Sequence, residues 1–125
     1  MKELEDALSL VITGEVQRAE KAHGEYYNFP HEAYAVLREE VEEAREASQH
    51  VQAAFDPNGK GGDIWRCIRL WGKIPACRDW LVREIKSLGD AALAAACEHI
   101  QVAAVCDRIL RSIDSGGNEW KEAAQ

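Results

Sequence analysis

Along most of the chain, apolar side chains recur every three or four positions, the period of a helix rather than the alternation of a half-buried strand. Leu4, Leu8, Val11, Ala19 and Ala22 share one face and predict a first helix from about Leu4 to Ala22, stopped by His23-Gly24. Glu25 to Phe29 form a connection, and Pro30 suits the first turn of a second helix, where a missing N–H costs nothing. That helix runs to about Phe55 with Ala33, Val36, Leu37, Val41, Ala44, Ala47, Val51 and Phe55 as its stripe, and the Asp56 to Gly62 run of turn formers ends it. Asp63 to Leu88 predicts two short helices separated by a break around Gly72 to Pro75. A third long, alanine-rich helix is expected from about Asp90 to Ile113, with Ala91, Ala95, Val102, Val105, Ile109 and Ile113 inward, closed by Ser115-Gly116-Gly117. The tail from Asn118 is expected to fray. The expected fold is all-α: one domain over residues 1–125, a helical bundle of three long helices with shorter helices inserted between the second and third.

At about 100° per residue, some glutamates of the second helix face solvent and others do not. Glu42 and Glu46 point away from the stripe; Glu40 falls inside it, Glu43 on its edge and Glu39 just beyond. The third helix repeats the arrangement, with Glu98 between Val105 and Ile109 in direction and Gln101 on the edge one i, i+3 step away. Glu-rich helices usually present a solvated face, so the second helix alone proves little; the matching position on the third changes the balance. Buried ionised carboxylates without a partner cost several kcal/mol, and neither stripe offers a basic residue in a matching place. A divalent cation, Mg2+ or Mn2+, is the economical neutraliser, since both prefer carboxylate and amide oxygens and helical domains build such sites from facing helices. Glu15, inside the stripe of the first helix, either adds a ligand or shows that this chain tolerates inward glutamates.

Composition narrows the function further. The chain has 125 residues, 46% of them apolar, with 22 acidic against 15 basic side chains and a net charge of −7. The basic residues form no long stripe, so a nucleic-acid partner is not expected. No apolar run approaches a membrane span and the first residues are not those of a signal peptide, so a cytoplasmic protein is expected. Cys67, Cys77, Cys97 and Cys106 lack the spacing of a zinc site or a secreted disulfide framework, and read as reduced thiols, two of them in the core. His31 and His99 read as ordinary structural histidines. Trp65, Trp71 and Trp80 read as core or interface anchors, although rings beside Lys60, Arg66, Arg69 and Lys73 also suit a stacked base and its phosphates. A small domain with such a segment is expected to form a homodimer or a higher even-numbered oligomer.

The segment Leu37-Arg38-Glu39-Glu40-Val41-Glu42-Glu43 resembles the E-E-x-x-E element of the MazG-like all-α nucleoside triphosphate pyrophosphohydrolases. Glu98-His99-Ile100-Gln101 stands where that family has E-x-x-D, with glutamine in place of aspartate. The flanking His31-Glu32-Ala33-Tyr34-Ala35-Val36 and Ile100-Gln101-Val102-Ala103-Ala104 are similar to a phage or prophage branch. The likeness covers roughly residues 15–56 and 90–113, and the middle segment is longer than the usual connection. It implies Mg2+-dependent hydrolysis of a nucleoside triphosphate to monophosphate and pyrophosphate. Carried over by position, Glu40, Glu43 and Glu98 hold metal, Gln101 takes the fourth place, and Glu39 orients or activates the attacking water. An amide brings no charge, which lowers metal affinity. A nucleotide-binding module without turnover and a helical interaction protein are the competing readings.

Overall fold

The structure is a computed structural model that describes residues 1–24, 27, 29–70 and 73–115. Trp71, Gly72, the Gly116-Gly117 stop, the tail from Asn118 and part of the Glu25 to Phe29 connection lie outside them. Four helices account for nearly all the described residues, with no strand among these: α1 (Lys2–His23), α2 (Pro30–Ala54), α3 (Lys60–Leu70) and α4 (Pro75–Ser115). Glu3 and Glu5 in the first turn of α1, and Lys21 and His23 in its last, complement the helix dipole. Gly24 ends the helix at φ 96°, a conformation that side chains other than glycine's rarely tolerate. Both α2 and α4 open on proline, as the missing N–H allows.

The expected break in the middle of the chain is shorter than the run of turn residues suggests. Asp56 closes an Asx turn by accepting the Asn58 N–H at 3.0 Å, and α3 then starts at Lys60, so Gly61 and Gly62 lie within its first turn. A Cβ on Gly61 would sit 2.8 Å from the Asp56 carbonyl oxygen, so glycine is what lets the two backbones approach there. A larger difference follows Pro75: the second short helix and the third long one are a single helix of 41 residues. Gly89 lies within it with no other group within 4 Å of where its Cβ would be. A solvated helical glycine costs only about 1 kcal/mol, too little to divide a helix with strong formers on both sides.

The chain forms two compact units, one combining residues 1–44 with those from 97 onward, the other spanning Arg45–Ala96. In the first, Tyr27, Ala33 and Val105 form a buried cluster against which Val36, Leu37 and Ile109 pack. Val16, fully buried, anchors α1. As α2 advances from Ala33 to Glu40, its neighbours on α4 go back from Val105 to Glu98, so within this unit the two helices run antiparallel. The Tyr27 backbone N–H donates to the fully buried Ser112 hydroxyl at 2.9 Å, tying Tyr27 to α4. Several predicted stripe residues are exposed instead: Leu4, Leu8 and Val11 on α1, Val41 on α2 and Ile113 on α4. Helical period alone does not say which stretch of a face finds a partner.

In the second unit Ile64 and Leu81 are the large buried side chains, while Phe55, Trp65, Ile68, Val82 and Ile85 are exposed. The expectation of four reduced thiols is corrected here. Cys67 and Cys77, with Cα atoms 5.7 Å apart, form a disulfide joining α3 to the first turn of α4. Their ten-residue separation hides this, because a turn between two helices brings them side by side. Nor are any of the four core residues, Cys97 and Cys106 being exposed thiols and the bonded pair half-buried. Trp65 is exposed under the Arg69 guanidinium, Lys60 pairs with Glu84 at 3.2 Å, and Arg66 pairs with Asp63. Trp65 is therefore no core anchor, and two of the cations expected to suit phosphates already meet carboxylates.

Candidate metal centre

Two helices of the first unit bring three carboxylates together. Glu40 and Glu43, one i, i+3 step apart on α2, converge with Glu98 on α4, each offering an oxygen so that all three lie within 4.8 Å of one another. Glu40 and Glu98 are half-buried and Glu43 exposed. The geometry follows from two apolar stripes meeting, since a glutamate set into each is carried to the seam. Like charges at this spacing, in partly desolvated surroundings, resist ionisation. Burial raises the Glu40 carboxyl above the usual 4.5, and the charges of Glu43, Glu98 and Glu39 push it the same way. No ion pair joins Glu40 or Glu98 to a lysine or arginine among the described residues. Glu39 is exposed and reaches this group through its charge on Glu40.

Gln101 is half-buried, and its Nε2 donates to Glu15 Oε2 at 2.8 Å, so the glutamine joins α4 to α1. Glu15 also accepts from Arg18 at 2.5 Å. The Arg18 hydrogen bond foremost, then that from Gln101, holds the Glu15 carboxyl below 4.5 against the opposing effect of burial. Glu15 is not one of the three converging carboxylates. His31 stacks on Phe29 with centroids 5.7 Å apart, and neither it nor His99 joins the cluster.

Beside the carboxylates lies a cleft of about 360 Å³, lined by Glu40 and Gln101 together with Arg18, His23, Glu32 and Arg108, and by Tyr27 and small aliphatic side chains. Glu40 thus belongs both to the acidic cluster and to the cleft wall. Arg108 is the residue that the sequence pattern misses. It is only 6% exposed, donating from its two terminal nitrogens to the Tyr27 hydroxyl at 3.1 Å and the Gly24 carbonyl at 3.2 Å. It stands one heptad beyond Gln101, so the face that carries Glu98 and Gln101 leads to it. Burial raises the Tyr27 phenol above 10.0, the Arg108 charge opposing and those of Glu32 and Glu40 reinforcing the shift.

Three carboxylate oxygens within reach of one point are a donor set for a hard divalent cation, and a cleft with both arginine and carboxylate walls suits a ligand of mixed charge. No helix among the described residues is long and apolar enough to cross a membrane. Comparison of the chain with protein-family models, with curated proteins and with solved structures returned no match in any of the three.

Proposed function

We propose that the chain is a MazG-like nucleoside triphosphate pyrophosphohydrolase of the cytoplasm, with Mg2+ or Mn2+ held by Glu40, Glu43 and Glu98. The observation that carries this reading is the convergence of those three side chains at the seam of α2 and α4, in the order that the family's E-E-x-x-E and E-x-x-D elements imply, with Gln101 in place of the aspartate. A divalent cation there supplies charge to offset phosphate oxygens and makes a bound water easier to deprotonate. The protein's own part is to position and to move a proton. Glu40, Glu43 and Glu98 fix the cation, the cleft beside Glu40 receives the nucleotide, and Glu39, exposed and one residue from Glu40, accepts the proton of the attacking water. Cleavage between the α and β phosphates then leaves nucleoside monophosphate and pyrophosphate.

Gln101 takes the fourth position with a neutral amide whose N–H is engaged by Glu15. That favours weaker metal affinity than four carboxylates give, and it supports a second reading, a nucleotide-binding module of the same build with little or no turnover. Exposed Leu4, Leu8 and Val11 on one face of α1 support the homo-oligomer expected for so small a domain, with a dimer the simplest form; light scattering that gives a monomer at every concentration contradicts it. The function is tested by offering a panel of nucleoside triphosphates with Mg2+ or Mn2+ and measuring pyrophosphate. Saturable Mg2+ stabilisation without release selects the binding module, and neither response leaves the helical interaction protein.

A further inference from the structure

Arg18, Arg38, Arg66 and Arg111 each meet a carboxylate, Glu15, Glu42, Asp63 and Glu20 respectively. Arg108 differs from all of them. It is the most buried of the five, and its hydrogen bonds go to two neutral acceptors, the Tyr27 hydroxyl and the Gly24 carbonyl. Its guanidinium carbon lies 4.4 Å from the Tyr27 ring centroid. Among the described residues its buried Nε has no hydrogen-bond acceptor and no carboxylate comes within ion-pair distance. A guanidinium taken out of water without a counter-anion is costly. Here the cost is incurred on the wall of a cleft that Arg18 and His23 also line. A structural arginine at the end of α1 needs only the Gly24 carbonyl and the helix dipole, which would not require the side chain to reach a cavity.

We propose that Arg108 is an anion-binding residue that receives a phosphoryl group in this cleft. The proposal rests on the reading of the cleft as a nucleotide site, and assigns the part of the ligand that the carboxylates repel. The fork of a guanidinium matches two phosphoryl oxygens, and the Tyr27 ring and hydroxyl hold the plane of that fork in place. Glu32 and Glu40 line the same cleft, so an anion enters against repulsion on one wall and attraction on the other. That favours a phosphoryl group attached to a larger molecule over a simple surface counter-ion.

The test is titration calorimetry with inorganic pyrophosphate on metal-free protein at low ionic strength. Saturable binding is expected for the parent, with Arg108→Met weakening it by about tenfold or more and Arg108→Lys falling between. A merely structural Arg108 predicts a lower melting temperature in Arg108→Met with unchanged pyrophosphate affinity. If Arg108→Met does not fold, the parent decides: the Arg108 Nε–Hε resonance should move on titration and saturate. A parent without saturable binding, a folded Arg108→Met that binds equally well, or an Arg108 resonance unmoved at saturation overturns the proposal. Absent nucleotide hydrolysis with intact Arg108-dependent pyrophosphate binding removes the hydrolase reading alone. Intact hydrolysis with Arg108-independent binding removes this proposal alone.

Discussion

Glu15 on α1 and Glu40 on α2 are both glutamates set into the apolar stripe of a helix, and both are half-buried. Their surroundings treat the same charge in opposite ways. Arg18 and Gln101 donate to Glu15 and hold its carboxyl below the ordinary value, whereas burial and three neighbouring glutamates hold that of Glu40 above it. An inward carboxylate therefore says little about function by itself. What separates a satisfied ionic group from a candidate ligand is whether the protein supplies the opposite charge. Along α1 it does so, with Arg18 for Glu15 and Arg111 for Glu20. At the seam of α2 and α4 Glu40 meets the like charges of Glu43, Glu98 and Glu39 instead.

The contrast is broken or sharpened most strongly by activity. Glu40→Gln should lower Mg2+-dependent pyrophosphate release by on the order of a hundredfold or more, while Glu15→Gln should leave most of it. Equal losses, followed by a coupled pyrophosphate assay, would dissolve the distinction between the two glutamates. A perturbation away from both gives the control. Cys67→Ser opens the loop closed by the Cys67–Cys77 bond and should cost about 2–3 kcal/mol by loop-closure entropy. Denaturant unfolding measures that cost, and Mg2+ affinity should not change.

A smaller effect lies in the pH dependence. Because the folded protein holds a proton on Glu40 more tightly than the unfolded chain, stability conferred by the protonated carboxyl is lost as pH rises from 4.5 through the raised value. Glu15 behaves oppositely, its contribution being present above 4.5 and lost as pH falls below it. Metal-free melts of the parent and Glu40→Gln should diverge just above 4.5, with the parent losing ground, and saturating Mg2+ should reverse the divergence, because only the parent keeps all three carboxylates for the cation. A parent that gains on Glu40→Gln through that window contradicts the arrangement. Smallest of all is the thermal effect of Glu15→Gln, because Arg18 is 70% exposed and water screens the pair; a large fall in melting temperature would mean that the Gln101 contact carries more than the ion pair.

Much of this contrast could be read in the sequence. The helical period placed Glu40 and Glu98 in facing stripes and Glu43 and Gln101 on their edges, because a side chain's direction on a helix depends only on its position. Two kinds of information were missing. Pattern does not reveal which stretch of a stripe is covered, so Leu4, Leu8 and Val11 read as core yet are exposed, while Val16 and Ser112, outside the expected stripes, are fully buried. Nor does it reveal contacts between distant segments. The Gln101 bond to Glu15, the Cys67–Cys77 bond and the grip of Arg108 on Tyr27 and Gly24 all depend on how helices meet. The helix boundary expected between Leu88 and Asp90 is absent, because the one glycine between them, Gly89, is tolerated inside a helix of 41 residues.

The central claim is that the carboxylates of Glu40, Glu43 and Glu98 are gathered for a cation rather than for packing or for a basic partner. Glu98→Gln tests it with the least disturbance, since it removes one charge and keeps the size. Thermal melts of the parent and of Glu98→Gln, each with and without Mg2+, should show a saturable rise for the parent and little response in the variant. Without metal the variant should be as stable as the parent or more so, because one like charge has left the cluster. A metal-free variant destabilised by about 3–5 kcal/mol, the cost of stranding a buried partner, together with a parent indifferent to Mg2+, would contradict the claim.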